Sequence, residues 1–578
     1  MLLGGLMLAS AIAEIASLSA VLPFIAILTA PDLALKRPIV AHVANALGIT
    51  SAEQLILPFT VAFALIALIS AAVRVLQLWL STRFSFASGA DISMEIYRRT
   101  LYQPYAVHVS RNSSEVISGI TAKTGHVVLG IMLPLMTLLS ASIVIVAITV
   151  ALVVIDPGVA LISAAVFGVS YGLITASIRH RLQTNSRRVA DEYTRVIRAL
   201  QEGMGGIRDV LLDGTQEFYC GVYGRADHIL RRAQGENFVI SQSPRFGMEA
   251  LGMVLIAALA FALSRRPGGA STALPVLSAL ALGALRLLPA LQQAFGAWTT
   301  MAGSQASLAD TVELLEQPVR AEREPCGDPP LDFRQAIRFA GVRFRYTSAQ
   351  PWVLDGLDLT IPKGARVGVV GGTGSGKSTM MDLLMGLLSP VDGVILVDTV
   401  PVTGARVRAW QRIVAHVPQH IYLADASLAE NIALGVARDT IDSARVREAA
   451  HQAQLRDFIE SLPDGYATSA GERGVRLSGG QRQRIGIARA LYKKASVLVL
   501  DEATSALDNA TERSVMDAIY RLDRNLTIVL VAHRLTTVRY CDLVVQLESG
   551  RIVAQGSYDE LLEFSSSFQQ MAHATKTP

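Results

Sequence analysis

Charged, aromatic and cysteine residues are all scarce in this chain of 578 residues. Charged residues make up 17% of the sequence and aromatic residues 6%, and the formal net charge is only +4. This weak basic balance does not indicate a nucleic-acid-binding surface, so we expect no nucleic-acid partner. The three cysteines, Cys220, Cys326 and Cys541, form no disulfide or metal-ligand pattern and are interpreted as isolated thiols. Internal repeats and low-complexity tracts are also absent.

Apolar residues are abundant instead, and they are concentrated in the first 300 positions. A helix needs about 20 apolar residues to span a membrane. Residues 1–30 lack the basic start and the short apolar core of a signal peptide, so a spanning helix is the better interpretation. The chain opens inside this apolar run, and we expect the natural start to lie further upstream. Six runs are candidate spans: 3–29, 56–80, 128–154, 158–178, 247–264 and 271–296.

Basic residues are distributed unequally between these candidate spans. Segments 83–127 and 179–246 together hold sixteen Lys and Arg, whereas the segments on the opposite side hold four. The excess of positive charge on cytoplasmic loops places both basic segments and the C-terminal half in the cytoplasm. Helical spacing from residue 179 to 233 predicts two spanning helices that continue into the cytoplasm, with a bend at glycines 203–206. Most charges there are interpreted as solvated helix faces.

A polar, proline-rich stretch at residues 317–330 predicts a linker between two domains. We expect an α-helical six-span transmembrane domain at 1–316, a linker at 317–334 and an α/β P-loop domain at 335–578. The second region has the composition of an ordinary soluble α/β domain.

Residues 371–378 match the P-loop pattern G-x-x-x-x-G-K-[ST]. The motif lies between a strand-like run at 366–370 and an apolar-periodic helix at 379–388, as it requires. Backbone N–H groups and the helix N-terminus would bind phosphates, with the lysine on the β- and γ-phosphates and the serine hydroxyl on Mg²⁺. We therefore expect ATP and Mg²⁺ to contact Gly372, Thr373, Gly374, Ser375, Gly376, Lys377, Ser378 and Thr379.

An apolar strand at 496–500 is followed directly by Asp501 and Glu502. The carboxyl ends of strands are where open α/β sheets bind ligands. Asp501 would hold the Mg²⁺ shell, and Glu502 would polarise the attacking water. An acidic pair after a strand is also a common helix N-cap, but the neighbouring P-loop favours the catalytic interpretation.

The stretch Leu477-Ser478-Gly479-Gly480-Gln481 resembles the signature of ABC ATPases. Gln419, the segment 505–508 and His533 match the family in the same order and at the same spacing. The resemblance covers the whole second domain and identifies the chain as similar to half of an ABC exporter of the type IV fold.

The resemblance implies further roles for these residues. Tyr346 resembles the aromatic residue that stacks on adenine, and Gln419 the residue that contacts Mg²⁺ and senses the membrane domain. His533 resembles the switch histidine on the γ-phosphate. Residues 471–474 resemble a loop that touches the partner's coupling helices. The signature residues Ser478, Gly479, Gly480 and Gln481 would bind ATP held by the other subunit.

One chain would hold only one half of each ATP site, because the signature acts on the partner's nucleotide. We therefore expect a homodimer with two head-to-tail sites, both carrying Glu502. We expect the dimer in a bacterial cytoplasmic (inner) membrane, with its ATPase domains in the cytoplasm.

Ionisable side chains within spans are costly and indicate function. Arg74, Arg245, Arg286 and Glu14 occupy such positions. Guanidinium groups facing a shared cavity suit phosphate or pyrophosphate recognition. The alternatives are side chains that extend to the membrane surface or a structural Arg–Glu pair.

Several stretches resemble those of bacterial lipid-linked oligosaccharide flippases and related polysaccharide-precursor exporters: 14–25, 31–48, 243–249, 285–289 and 418–423. This resemblance implies a polyprenyl-pyrophosphate glycan as the substrate, moved from the cytoplasmic to the outer side among membrane lipids. Export of a peptide, a lipid or a drug-like amphiphile is the alternative. A soluble ABC ATPase acting on DNA or ribosomes is a third possibility, and the six apolar runs count against it.

Overall fold

Two compact units make up the chain, one of Met1–Gln103 with Arg111–Val319 and one of Pro104–Ser110 with Arg320–Pro578. The computed structural model describes residues 2–29, 54, 56–155, 157–264, 287–318, 331–501, 509–520, 525–532 and 534–574. The predicted segment at 31–48, most of the linker and the first part of the sixth candidate span lie outside the described residues.

Long helices form the first unit. Their bounds are α1 Leu2–Thr29, α2 Ile56–Leu101, α3 Leu133–Ile155, α4 Pro157–Gly205, α5 Gln216–Ser264, α6 at residues 287–302 and α7 Gln305–Leu315. Shorter helical turns span Ser113–Ser118, Thr124–Val127 and Ile207–Leu212, and the turn Tyr105–Ser110 belongs to the second unit. Two π-helical segments, Gly119–Lys123 and Val128–Met132, lead into α3 without a break. Proline starts α4, where its missing N–H costs nothing.

Among the described residues, four helical stretches are long and apolar enough to cross a membrane: Ile56–Leu101, Ser113–Val154, Ala160–Gly205 and Gln216–Phe261. A shorter apolar stretch, Leu3–Ser17, lies within α1. The sixth candidate span is described only from residue 287 onwards. The structure therefore supports four of the six predicted spans by length and composition.

The charged parts of α4 and α5, where the sequence predicts two continuing helices, pack against each other. Val189 of α4 is buried with Leu230 and Ala233 of α5. Asn185 donates to Asn237 across the same contact at 3.1 Å. The predicted bend is confirmed, because α4 ends at Gly205 and the chain turns before α5.

Two sheets organise the second unit. An antiparallel sheet has the order β2-β1-β4-β5, and a six-stranded sheet has the order β10-β9-β3-β8-β7-β6. In the larger sheet all neighbours run parallel except β10 and β9. The strands are β1 Ala336–Phe344, β2 Leu354–Pro362, β3 Arg366–Gly371, β4 Asp392–Val397, β5 Val400–Pro401, β6 Val414–Val417, β7 Val497–Asp501, β8 Thr527–Val531, β9 Leu543–Glu548 and β10 Arg551–Gly556.

Helices accompany these sheets and complete the α/β architecture. They are α8 Lys377–Leu384, α9 Arg406–Ile413, α10 Leu428–Ile432, α11 Ser443–Gln452, α12 Arg456–Glu460, α13 Gly479–Lys493, α14 Asn509–Tyr520, α15 Tyr558–Phe564 and α16 Ser566–Ala574. β3, β7 and β8 are buried along most of their length. Central parallel strands need this continuous apolar character, because both faces of the sheet are covered.

Candidate functional site

The P-loop connects β3 to α8 through backbone that only glycine adopts easily. Gly374 and Gly376 have φ values of +80° and +100°. A Cβ on Gly376 would lie 3.0 Å from the Val353 carbonyl oxygen and 2.8 Å from Leu354 Cδ2. The loop is therefore held tightly against the segment that enters β2, and the glycine pattern reflects steric need.

Lys377 is the first residue of α8, and its side chain is buried in the loop. Its Nζ donates to the carbonyl oxygens of Gly371 and Gly372, both at 2.9 Å. The ammonium group thus lies inside the turn that would enclose the phosphates. Ser378 is exposed, so its hydroxyl is accessible to a metal ion. The structure brings the lysine, the serine and the N-terminus of α8 together as predicted.

Replacing Gly376 by Ala is expected to weaken ATP binding about 5- to 150-fold, because the backbone strain and the new contacts together cost ~1–3 kcal/mol. Gly404→Ala is the matched control, since Gly404 also has a positive φ (+58°) but lies outside the P-loop, and a Cβ there meets nothing within 4 Å. Equilibrium binding of a fluorescent ATP analogue to both variants measures the difference. Equal affinity of the two variants would contradict the steric argument.

Tyr346 lies beside the P-loop helix, as its predicted role requires. Its hydroxyl is 3.3 Å from Thr379 Oγ1. Its ring packs edge-on against Phe344 and remains exposed. An exposed aromatic face next to the phosphate loop is available for stacking on a base.

Asp501 ends β7 at the same edge of the sheet as the P-loop. The strand order places β8 between β3 and β7, and all three run parallel. Their carboxyl ends therefore converge, which brings Asp501 and Ser378 to one side of the sheet. Together with Gln419 they supply only oxygen donors, the set that Mg²⁺ prefers. The predicted catalytic residues Glu502 and His533 lie outside the described residues.

A second carboxyl group near this site was missed at the level of sequence motifs. Asp382 lies on α8, and burial raises its pKa to about 6, with a further contribution from the charge of Asp501. Tyr105 approaches the same group: burial raises the pKa of its phenol, followed by the charges of Asp382, Tyr346 and Asp501. An acidic residue within the apolar run 380–384 was the available signal.

The signature segment caps a long helix. Ser478 is the N-cap of α13, where its hydroxyl accepts from Gln481 N at 3.2 Å and its N–H donates to Gln481 Oε1 at 2.8 Å. This capping box defines the N-terminus of the 15-residue helix, and Ser478 is exposed at the surface. A helix N-terminus with a serine and two glycines suits an anionic phosphate.

Gln419 and the signature helix share one small cavity. Gln419, Arg473 and Gly479 line a space of about 370 Å³. The structure thus brings together three segments that are distant in the sequence, since Arg473 and Gly479 follow Gln419 by 54 and 60 positions. The cavity therefore gives Gln419, the exporter-type segment 471–474 and the signature a common environment.

Arg74 lies opposite Glu14 within the helical unit. The guanidinium Nη1 is 3.9 Å from Glu14 Oε1, which joins α2 to α1. Both side chains line a cavity of about 660 Å³ whose other walls include Gln77 and Ser140. The structural Arg–Glu pair, one of the alternatives, is therefore present, and it borders a polar cavity.

Arg245 lines a different, larger cavity of about 960 Å³. Its Nε donates to Glu249 Oε1 at 2.8 Å. Leu133, Thr137, Pro289 and Gln293 belong to the walls of both cavities, so the two spaces are neighbours. The expected shared cavity is thus resolved into two adjoining ones, and Arg286 lies outside the described residues.

Comparison with known proteins agrees with this arrangement. Residues 36–264 match the ABC transporter transmembrane region, and residues 354–505 match the ABC transporter ATPase family. The ATP-dependent lipid A-core flippase of Chromohalobacter salexigens is 34% identical over 393 residues, 68% of this chain and 67% of that protein.

Two further similarities differ in extent. The β-(1→2)glucan export ATP-binding/permease protein NdvA of Rhizobium johnstonii is 42% identical over 262 residues, 45% of this chain and 44% of that protein. The solved structure of a bacterial Atm1-family ABC exporter with ATP bound has a TM-score of 0.80, with 24% identity over 98% of each chain. This last likeness concerns the fold.

Sequence, architecture and comparison thus converge. A helical membrane unit precedes a P-loop unit whose motifs are assembled at one edge of a sheet. The relative from Chromohalobacter salexigens is an ATP-dependent flippase by name. The chain belongs to the ABC transporter family, and its second unit is an ATPase coupled to transport across a membrane.

Proposed function

We propose that this chain is half of a homodimeric ABC exporter that flips a lipid-linked glycan, a polyprenyl-pyrophosphate oligosaccharide, to the outer side of a bacterial cytoplasmic membrane. Its membrane domain comprises residues 1–316 with six spans, and its ATPase domain residues 335–578. The end of α7 at Leu315 and the start of β1 at Ala336 support these limits.

The geometry around the P-loop and the resemblance to ABC ATPases support the following ATPase roles. ATP supplies the phosphoryl group, and Mg²⁺ would neutralise part of the negative charge on the phosphates. Lys377 would leave the loop carbonyls to hold the β- and γ-phosphates, and Ser378 and Asp501 would ligate the metal together with Gln419. Tyr346 would stack on the base. Glu502 would orient the water, and His533 would contact the γ-phosphate.

The position of the signature supports dimerisation. Ser478 caps a helix whose N-terminus suits phosphate, and the adjoining Gly479 lines a cavity whose described walls include no P-loop residue. A head-to-tail pair of chains would place this N-terminus over the partner's nucleotide. Closed two-fold symmetry is the commonest arrangement of such self-complementary surfaces.

The observation that supports the proposed substrate is that Arg74 and Arg245 line two adjoining cavities. Arg74 and Arg245 each remain half-exposed beside their carboxylates. Guanidinium groups at the depth of the spans suit a phosphate-containing head group. Relatives named for lipid A-core and for a β-(1→2)glucan support a sugar-bearing cargo. Export of another lipid, a peptide or a drug-like amphiphile is the second candidate.

Replacing Arg74, Arg245 or Arg286 by Ala is expected to slow flipping of a polyprenyl-pyrophosphate glycan roughly 10- to 100-fold, because each loses a charge-assisted hydrogen bond. Substrate-free ATP hydrolysis should change much less, since the ATP site lies in the other unit. Replacement by Lys should restore transport only in part, as an ammonium makes no bidentate contact. Liposomes containing the purified protein, ATP and a fluorescent lipid-linked glycan provide the measurement.

Arg232→Ala is the matched control for this series. Arg232 forms the same i,i+4 ion pair with Glu236 on α5, at 3.1 Å, but outside the two cavities. We expect its transport rate to remain normal. Well-folded variants of all three arginines with normal flipping would contradict the anion site. Equal loss of transport and ATP hydrolysis would indicate a structural role instead.

A further inference from the structure

The larger cavity of the helical unit holds an asymmetric polar cluster. Arg245 and Glu249 contribute from α5, and Gln292 contributes from α6. Gln292 Nε2 donates to Glu249 Oε1 at 3.3 Å, on the same oxygen that Arg245 Nε reaches at 2.8 Å. The three side chains form one connected group on the cavity wall.

This hydrogen bonding leaves a defined set of groups for a ligand. Among the described residues, none donates to Glu249 Oε2 or to the Gln292 carbonyl oxygen. The hydrogen bond to the carboxylate fixes the orientation of the Gln292 amide, because its Nε2 must face Glu249. The cavity therefore presents two hydrogen-bond acceptors in the same cluster as a guanidinium group.

A ligand made only of phosphate would not suit this arrangement. The guanidinium would attract it, but the carboxylate and the amide oxygen would repel its oxygens. A complementary ligand carries an anionic group and, next to it, hydrogen-bond donors. A sugar attached to phosphate has this pattern, because its hydroxyls donate to carboxylate and amide oxygens.

The remaining walls support the same class of ligand. Tyr171 and Phe295 form an aromatic pair, with ring centroids 5.3 Å apart, on the side of the cavity formed by α4 and α6. Phe167 lies on α4 against Gly252 of α5, and its ring belongs to the same wall. Phe167 and Phe295 are buried within this wall, and Tyr171 is partly exposed. The ring of Tyr171 gives the apolar C–H face of a sugar a packing surface, and the few polar groups fix its orientation.

We propose that this cavity is a subsite for the first sugar of the lipid-linked substrate, with Glu249 and Gln292 binding its hydroxyls while Arg245 binds the adjoining phosphate. The inference rests on the proposed flippase function and assigns specificity to residues beyond the arginines. Glu249 also forms an ion pair with Arg245. Its carboxylate therefore balances the charge of Arg245 before the substrate binds, and binds sugar hydroxyls afterwards.

The test compares two probes: a polyprenyl pyrophosphate without sugar and the same lipid bearing one sugar. Each is titrated in phosphatidylcholine vesicles containing the full-length protein, and the half-saturating concentration is read from stimulated ATP hydrolysis. The half-saturating concentration of the sugar-free lipid divided by that of the sugar-bearing lipid measures recognition of the sugar. For Gln292→Leu we expect this ratio to fall roughly tenfold, the effect of one or two hydrogen bonds. Glu249→Gln preserves shape and should also lower the ratio.

Gln183→Leu is the matched control, because Gln183 lies on α4 outside this cavity and is exposed. It should leave the ratio at the value of the natural protein. Arg245→Ala should weaken both probes by the same factor. An unchanged ratio in both Gln292→Leu and Glu249→Gln would overturn the sugar subsite. Unchanged binding of both probes by Arg245→Ala would instead contradict the proposed phosphate contact.

Discussion

Replacing Glu502 by Gln is expected to lower kcat for ATP hydrolysis about 10²–10⁴-fold, the usual contribution of a positioned general base. The change removes the carboxylate that would polarise the attacking water. The P-loop and Asp501, which would hold the phosphates and the metal, are unaltered. ATP should therefore still bind, and the two ATPase domains should remain closed on it. Steady-state phosphate release and retention of radiolabelled ATP after dilution measure the two effects.

Glu448→Gln supplies the control for this experiment. Glu448 lies on α11, where it accepts a hydrogen bond from Gln452 at 2.6 Å on an exposed helix face. The same loss of a carboxylate there should leave kcat within about twofold, as is usual for surface positions. Near-normal hydrolysis by Glu502→Gln would remove Glu502 from the catalytic role.

Mixed dimers are expected to show that each ATP site draws on both chains. One dimer pairs a Lys377→Ala chain with a Ser478→Arg chain, so that both defects fall in one composite site and the other stays intact. A second dimer carries both substitutions in one chain, which damages both sites. With head-to-tail symmetry the first should retain about one ATP per dimer and the second almost none. Counting bound nucleotide in the Glu502→Gln background, where hydrolysis is stalled, provides the measurement.

Two differently tagged chains, purified over both tags, give dimers of defined composition for this comparison. A dimer of unsubstituted chains should bind about two ATP and sets the scale. If both mixed dimers bind the same amount of ATP, the signature does not act on the partner's nucleotide. The proposed head-to-tail homodimer would then be wrong.

The ATPase architecture could be predicted from local sequence because its motifs are continuous. The P-loop at 371–378 is a strand, a glycine turn and a helix start, and the structure has β3 ending at Gly371 and α8 beginning at Lys377. The strand before Asp501 was predicted at 496–500 and is found at Val497–Asp501. Hydrophobic runs and glycine positions determine such short elements with little influence from distant residues.

The membrane cavities could be predicted only in part. Spacing alone could have paired Arg245 with Glu249, because residues four apart lie on one helix face. The pairing of Arg74 with Glu14 joins two helices, and no local pattern predicts it. Likewise, Gln292 reaches Glu249 from α6, so the three-residue cluster depends on helix packing.

The sequence by itself determined the order of the two domains, the ATPase motifs and the presence of arginines within apolar runs, because each is written in neighbouring residues. Tertiary structure decided which side chains share a cavity. It separated Arg74 from Arg245 by placing them in adjoining spaces. It also brought Asp382 of α8 close to Asp501 of β7, where burial raises its pKa. The physical reason is that burial and charge pairing depend on distances between elements, which helix and strand packing sets.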